Sequence, residues 1–304
     1  MPKDLTIIIL TYNSAQIVGS CLEKLNFEKY KVVLVDNASK DNTLELVRKN
    51  FPQVEIIALS QNIGYGNGNN VALKKVETEF ALILNPDAMI LEKDIEIVLQ
   101  EMRQNPLAAM AGPIVLDDYP LNKDEFEKKV AALDQDLTTI KSCYYEKVGQ
   151  NYTARFLSGA ALFMKMSAMQ KIGFFDEEIF LYYEDDEICG RVRKNGYQNI
   201  IVPSATAFHL GGGGKSSGSS LKVVYKKNWH FLWSKLYWKK LRKGSLSARR
   251  SAIRLIFMHL RKALFAFNRE KAVANLGSAC GAFSFFIGLK SFDKQGNPRG
   301  NLKI

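Results

Sequence analysis

Cysteine is scarce in this chain of 304 residues. There are four, at 21, 143, 189 and 280, and no two stand at the short spacing of a thiolate metal site. That excludes a disulfide-stapled scaffold and a zinc ribbon, and makes a reducing cytoplasm the expected setting. Cys21 and Cys189 fall in apolar helical patterns and are expected in the core. Histidine is scarcer still, with three residues. No apolar run reaches the 18 or so residues of a spanning helix. The nearest, Leu276 to Leu289, is interrupted by three glycines and three serines or cysteines. The opening Met1-Pro2-Lys3-Asp4 lacks a signal-peptide pattern. Acid is nearly missing from the tail: residues 222–304 hold nineteen Lys and Arg against two Asp and Glu, whereas residues 1–221 hold twenty-three against twenty-nine. The net charge of +11 is therefore concentrated in the tail, as suits an anionic surface such as lipid headgroups or nucleic acid.

What is present is a repeated alternation. Leu5 to Leu10, Lys31 to Val35, Val54 to Leu59 and Phe80 to Leu84 read as strands. Helices are expected from Asn13 or Ser14 to about Leu25, from a cap in Asp41-Asn42-Thr43 to about Asn50, and after Gly68 to about Val76. Strands alternating with helices predict βαβ units and a mostly parallel sheet. Right-handed crossovers place the strand ends on one edge, so Thr11, Asp36, Asn62 and Asp87 are expected to line one cleft. Residues 117–150 have no period and read as a variable surface segment. Arg155 to Met164 is expected as a strand, Asp185 to Asn195 as a helix ending at Gly196, and Asn199 to Val202 as a strand stopped by Pro203. Gly211 to Gly218 has the composition of a mobile loop. Basic helices follow Leu221, giving a catalytic domain over 1–220 and a helical region over 221–304.

Several positions carry chemistry. The strand Phe80 to Leu84 halts at Asn85-Pro86-Asp87, leaving a carboxylate at a strand end, where it can hold a divalent cation on a diphosphate. Asp36, also at a strand end, either accepts hydrogen bonds from a base or ribose or caps the next turn. Gly64-Tyr65-Gly66-Asn67-Gly68 is neither a Walker A loop nor a dinucleotide fingerprint, but permits close backbone approach to a ligand. Glu184-Asp185-Asp186-Glu187 opens a helix behind Phe180, Tyr182 and Tyr183; the four acids complement the helix dipole, and one or two can face a cleft as a general base. His209, beside the glycine-rich run, is a candidate imidazole ligand.

In order along the chain, Ile8 to Asn13, Val35 to Asp41, Asn62 to Gly66 with Asn69, Leu84 to Ala88, Ser158 to Ala160, Gly173 to Glu177, Tyr183 to Asp185 and His209 resemble the family-two glycosyltransferases, in particular their rhamnosyltransferase-like branch. The resemblance implies an α/β GT-A (Rossmann-like) fold with helices flanking the sheet and a basic helical extension. It implies that Thr11, Tyr12 and Asp36 hold a nucleotide, with Asn13, Asn37, Asn62, Gly64, Asn69, Asn85 and Gly159 completing the donor site. Asp87 takes the place of the family's metal-binding aspartate, His209 is the second ligand to Mg2+ or Mn2+, and Asp185 matches the catalytic base, with Asp186 and Glu187 as alternatives. The usual Asp-x-Asp stands here as Asn85-Pro86-Asp87, one carboxylate fewer.

The implied reaction is inverting transfer of a sugar from a nucleotide-sugar donor, first dTDP-rhamnose and alternatively a UDP-hexose, to a hydroxyl of a cell-envelope glycan or lipid-linked acceptor. Gly211 to Gly218 would be a lid over the donor. All three tryptophans lie between Trp229 and Trp238 among lysines, which predicts peripheral binding to an anionic membrane on its cytoplasmic face. The alternative for that tail is an ordinary helical subdomain. The rival class is a nucleic-acid-binding protein, which leaves the ordered strand-end motifs unexplained; no nucleic-acid partner is expected, and oligomeric state is left open.

Overall fold

Leu5-Thr6-Ile7-Ile8-Ile9-Leu10-Thr11 is apolar and rich in β-branched residues, and it forms the strand β1 (Leu5–Thr11). Leu5, Ile7 and Ile9 face one hydrophobic cluster, while Ile8 is equally buried on the opposite face, so the strand is covered on both sides. The computed structural model describes residues 3–116, 144–209, 220–293 and 296–300. The expected variable segment falls mostly at 117–143 and the expected lid at Gly211 to Gly218, both outside the described residues, as is Cys143.

The strands are β1, β2 (Lys31–Asp36), β3 (Glu55–Ala58), β4 (Phe80–Leu84), β5 (Ala88–Ile90), β6 (Ala108–Leu116), β7 (Tyr144–Val148), β8 (Asn151–Ala154), β9 (Ala161–Lys165) and β10 (Gln198–His209). They form one sheet in the order β3-β2-β1-β4-β9-β6-β10-β8-β7, with β5 added against β10. The run β3-β2-β1-β4 is parallel, as the βαβ pattern requires. Beyond it β9 lies antiparallel between β4 and β6. The described helices are α1 (Val18–Leu22), α2 (Thr43–Asn50), α3 (Tyr65–Leu73), α4 (Glu92–Gln104), α5 (Met166–Ile172), α6 (Glu184–Lys194), α7 (Leu221–Lys243), α8 (Ser245–Leu264) and α9 (Arg269–Phe286). Residues of α1, α2 and α4 share the cluster beneath the sheet.

Three sequence expectations are corrected. The first helix is little more than one turn, Val18–Leu22. The strand expected from Arg155 begins only at Ala161. Pro203 does not stop the last strand: β10 continues to His209, with the register against β6 shifting between Val202 and Thr206. A proline at such an irregularity removes no ladder hydrogen bond. Buried Asp94 of α4 fastens the same place by accepting the Thr206 N–H at 3.0 Å.

The chain divides into two compact units: Met1–Asn62 with Gly68–Phe174 and Ile188–Gly213, and Ile63–Asn67 with Phe175–Glu187 and Gly214–Ile304. The second has its own core of Tyr225, Trp229, Trp233, Leu236, Ala248, Ala252, Ala282 and Phe285. Here the tryptophan expectation is corrected. Trp229 and Trp233 are each 3% exposed and stack at 6.5 Å, with Tyr237 on Trp233 at 5.1 Å. Their rings close helix against helix instead of forming an interfacial belt. The interrupted run Leu276 to Leu289 has a matching explanation. A side chain at Gly277 or Gly281 would collide with the backbone of Tyr225 or Trp229, so α9 seats directly on α7. Among the described residues no helix is long and apolar enough to cross a membrane.

The central position of β9 sets one expected outcome. Phe163 is fully buried and pairs in register with Leu82 and Ala111. Phe163→Ala is expected to lower the unfolding free energy by about 3–5 kcal/mol. Phe257→Ala, on an exposed helix face, is expected to stay within about 0.5 kcal/mol of the parent. Urea titration followed by far-UV circular dichroism measures both.

Candidate active site

In the first unit β1 and β2 end side by side, with Thr11 paired to Asp36. Both are buried, and the Thr11 hydroxyl donates to Asp36 Oδ1 at 3.0 Å. Asp36 also accepts from the Ser39 N–H at 2.9 Å and from the Ser39 hydroxyl. The carboxylate thus caps its own turn. Asn37 donates its side-chain N–H to Asn62 at 3.2 Å. Asn13, at φ 53°, ties the β1 loop to that turn: its N–H donates to Ser39 Oγ and its Oδ1 accepts from the Lys40 N–H, both at 2.8 Å. Tyr12 is 48% exposed, an aromatic ring left at the mouth of the strand ends.

The Asn85-Pro86-Asp87 turn is closed by the Ala88 N–H donating to the Asn85 carbonyl at 3.0 Å. The Asn85 N–H in turn donates to the Ala160 carbonyl, fixing the turn that carries Gly159. β5 then pairs antiparallel with β10, and its register sets Ala88 opposite His209. That pairing brings together residues far apart in sequence: His209 Nε2 lies 3.1 Å from Asp87 Oδ1 and 3.4 Å from Asn85 Nδ2. One imidazole nitrogen cannot donate to the carboxylate and accept from the amide at once. With Nε2 as the unprotonated nitrogen, the imidazole and the carboxylate could both offer lone pairs to one shared cation. Cis ligands at about 2.1 Å from an octahedral ion stand roughly 3 Å apart, so this pair fits Mg2+ or Mn2+. Among the described residues no group of three or more His, Cys, Asp or Glu could hold a metal. Asp87 and His209 could therefore supply two of the six ligands of an octahedral ion. Cys21 lies beneath, its thiol pushed up to about 12 by burial and then by the Asp87 charge, and so inert. Cys189 is buried as expected. Asn69, in α3, is completely buried.

In the second unit Gly64, at φ 92°, packs so closely on Phe180 that any side chain would strike the Phe180 backbone. The Tyr65 N–H donates to the Phe180 carbonyl at 3.1 Å. Tyr182 and Tyr183 both adopt positive φ, 67° and 66°, at about 1–2 kcal/mol each. Their rings pack on Phe231 at 5.6 and 5.5 Å, which holds that strained pair. It turns the chain into α6, whose first turn carries the acids. Glu184 and Glu187 are buried, while Asp185 and Asp186 are half-buried. Burial, then the charges of Asp185 and Asp186, push Glu184 up to about 8. At neutral pH it is an uncharged acid beside Asp185, a role the acid run alone did not reveal. Sequence reading also missed Arg191, which donates to the carbonyls of Ile172, Gly173 and Phe174 and clamps that turn within the first unit.

Folding raises Glu184 from its ordinary 4.5 to about 8, so between those values the native state keeps a proton the unfolded chain has released. Stability is expected to fall as pH rises through that window. Glu184→Gln should flatten the fall in urea titrations made from about pH 5 to about pH 8.

A model of the family described as Glycosyl transferase family 2 matches residues 6–173. N-acetylglucosaminyl-diphospho-decaprenol L-rhamnosyltransferase of Mycobacterium tuberculosis is 23% identical over 260 residues, covering 76% of this chain and 85% of that protein. Low-salt glycan biosynthesis hexosyltransferase Agl10 of Haloferax volcanii is 24% identical over 209 residues, covering 66% of this chain and 64% of that protein. Among solved structures, the mannosyltransferase PcManGT from Pyrobaculum calidifontis in complex with GDP-Man and Mn2+ aligns with a TM-score of 0.58 at 16% identity, over 95% of this chain and 88% of that one. TarS 1-349 of S. aureus in complex with UDP-GlcNAc aligns at 0.52 and 16% identity, over 94% and 92%. With its mixed sheet flanked by helices, the chain belongs to glycosyl transferase family 2, as an enzyme with the GT-A fold.

Proposed function

We propose that this enzyme moves a sugar, with inversion, from a nucleotide-sugar donor to a hydroxyl of a lipid-linked or cell-envelope glycan acceptor. The observation that carries the reading is the 3.1 Å approach of Asp87 and His209 beside the parallel strand ends of β1, β2 and β4. Thr11, Asp36, Asn13 and Asn37 shape a nucleotide cradle, and the Tyr12 ring offers a stacking face for the base. Asp87 and His209 would hold Mg2+ or Mn2+, whose charge neutralises the departing diphosphate. PcManGT and GalNAc-T7 were both crystallised with Mn2+, which supports a divalent ion. Asp185 accepts the proton of the acceptor hydroxyl as its oxygen bonds to the anomeric carbon. The bond from that carbon to the diphosphate breaks in the same displacement, and the nucleoside diphosphate leaves. Asp185 is favoured over Glu187, which is buried, and over Asp186, which belongs to a basic recess described below.

The mycobacterial relative is named as a rhamnosyltransferase acting with a diphospho-decaprenol sugar, which supports a dTDP-rhamnose donor and a prenyl-linked acceptor. The Haloferax relative, named a hexosyltransferase, keeps a hexose donor as the second reading. Membrane association is supported by α8 and not by the tryptophans. Ile253, Phe257, Leu260 and Leu264 form an exposed stripe at helical spacing, continued by Phe265 and Phe267 and flanked by Arg250, Arg254, Arg261 and Lys262.

A thermal-shift panel of dTDP-rhamnose, UDP-glucose, UDP-galactose and GDP-mannose, each with and without Mn2+, tests the donor reading. One donor is expected to raise the melting temperature in a Mn2+-dependent way, and Asp87→Asn to abolish that dependence. Asp185→Asn is expected to keep the donor shift and lower turnover by about a hundredfold or more. Full turnover in Asp185→Asn would move the base elsewhere. Sedimentation with phosphatidylglycerol vesicles at physiological salt tests the membrane reading: the parent is expected in the pellet, and Phe257→Glu with Leu264→Glu in the supernatant.

A further inference from the structure

The second unit contains a recess of about 370 Å3 walled by the first turn of α6, by α7 and by α8. Five cations line it: Lys235, Lys239, Arg242 and Lys243 from α7, and Arg254 from α8. Asp186 is the single acid among the described lining residues. Spacings of four and three residues put Lys235, Lys239 and Arg242 on one helix face, where like charges repel. The arrangement is nevertheless ordered. The Lys239 ammonium donates to Ser251 of α8, and the Arg242 guanidinium lies 5.4 Å from the Trp238 ring centroid, its plane set by the aromatic face. Leu236 and Leu255 supply apolar wall. A surplus of cations, two of them arginines, around a small concave space is the chemistry that recognises phosphate esters.

We infer that this recess binds the phosphate or diphosphate headgroup of the lipid-linked acceptor; the inference rests on the glycosyltransferase reading above. The donor's own diphosphate is accounted for at Asp87 and His209, in the other unit. The recess is too small for a nucleic-acid backbone, which is tracked along an extended groove. Two features point to a lipid tether. Arg254 lines the recess and stands one residue from Ile253 and three from Phe257, on the exposed apolar stripe of α8. Asp186 at the recess is the next residue after Asp185, so an acceptor gripped by its headgroup presents its sugar to the same helix turn that carries the base. The cations thereby fix the acceptor in place, and Asp185 does the chemistry.

The test uses the full chain and isothermal titration with geranylgeranyl diphosphate in detergent micelles, inorganic pyrophosphate, and phosphatidylglycerol vesicles. The variant is Arg242→Gln with Arg254→Gln, and the control is Lys222→Gln with Lys271→Gln, which removes two exposed charges outside the recess. The prenyl diphosphate is expected to bind the parent and the control alike. The recess variant is expected to bind at least about tenfold more weakly, since each lost charge-assisted contact is worth about that factor. Inorganic pyrophosphate is expected to compete for the same site. Equal weakening in recess variant and control would reduce the effect to net charge and overturn the inference. So would undiminished binding in the recess variant, or vesicle binding that needs the two arginines while prenyl diphosphate does not. The donor thermal shift, measured on the same samples, separates the two readings. Its presence without prenyl diphosphate binding removes only the recess. Its absence from the folded parent removes the nucleotide-sugar donor reading on which the inference rests.

Discussion

The antiparallel pairing of β5 with β10 is the constraint on which the first unit's chemistry depends. β5 is three residues long, and its register against Ala207, Phe208 and His209 sets the imidazole opposite Ala88, one residue from Asp87. A slip of one residue would turn His209 to the other face, because side chains alternate across a strand. The fold guards that register from several sides. Ala88 and Ile90 are buried in the main core, and Met89 packs with Phe208. The shifted register near Pro203 lets a long strand reach the site while Asp94 satisfies the Thr206 N–H. The close approach of Asp87 and His209 thus draws on the sheet, the core and α4 for its geometry.

The second unit solves a different problem, which is to hold many positive charges on three helices. It does so with an aromatic stack of Trp229, Trp233 and Tyr237 and with small residues that let α9 approach α7 closely. Buried area at this interface offsets the repulsion on the outer surface. The strained backbone at Tyr182 and Tyr183 is maintained by the same device, since Phe231 of α7 packs on both rings. The acids of α6 are therefore presented by a bent segment whose cost is met by packing within that unit. Glu184 stays uncharged there because two neighbouring carboxylates and burial both oppose its ionisation.

Much of this was legible beforehand. The four parallel strands, the strand-end positions of Thr11, Asp36 and Asp87, and the helix opening on Glu184 follow from local pattern: apolar runs of five to seven residues, breakers after them, and caps before helices. β5, β6 and α4 escaped notice, because a three-residue strand has no periodicity and its pairing partner lies more than a hundred residues away. The tryptophans misled for a related reason. Trp beside Lys reads the same whether the ring faces lipid or a neighbouring helix, and local spacing does not say which. Arg191, Glu184 and the basic recess were equally silent in sequence, since a surface arginine, a helix-capping acid and a solvated lysine face have the same composition.

The sequence by itself therefore determined the alternation of strands and helices, the places where strands stop, the family, and the split of charge between the two parts of the chain. These depend on neighbours within a few residues, on breakers and on counts. Tertiary structure alone decided which of the four acids is neutral and which are half-exposed. It decided that His209 meets Asp87, that Trp229 and Trp233 face inward, and that five cations line one recess. Each of these depends on what approaches a side chain through space, and desolvation, pairing and convergence of charge exist only once distant segments have been packed together.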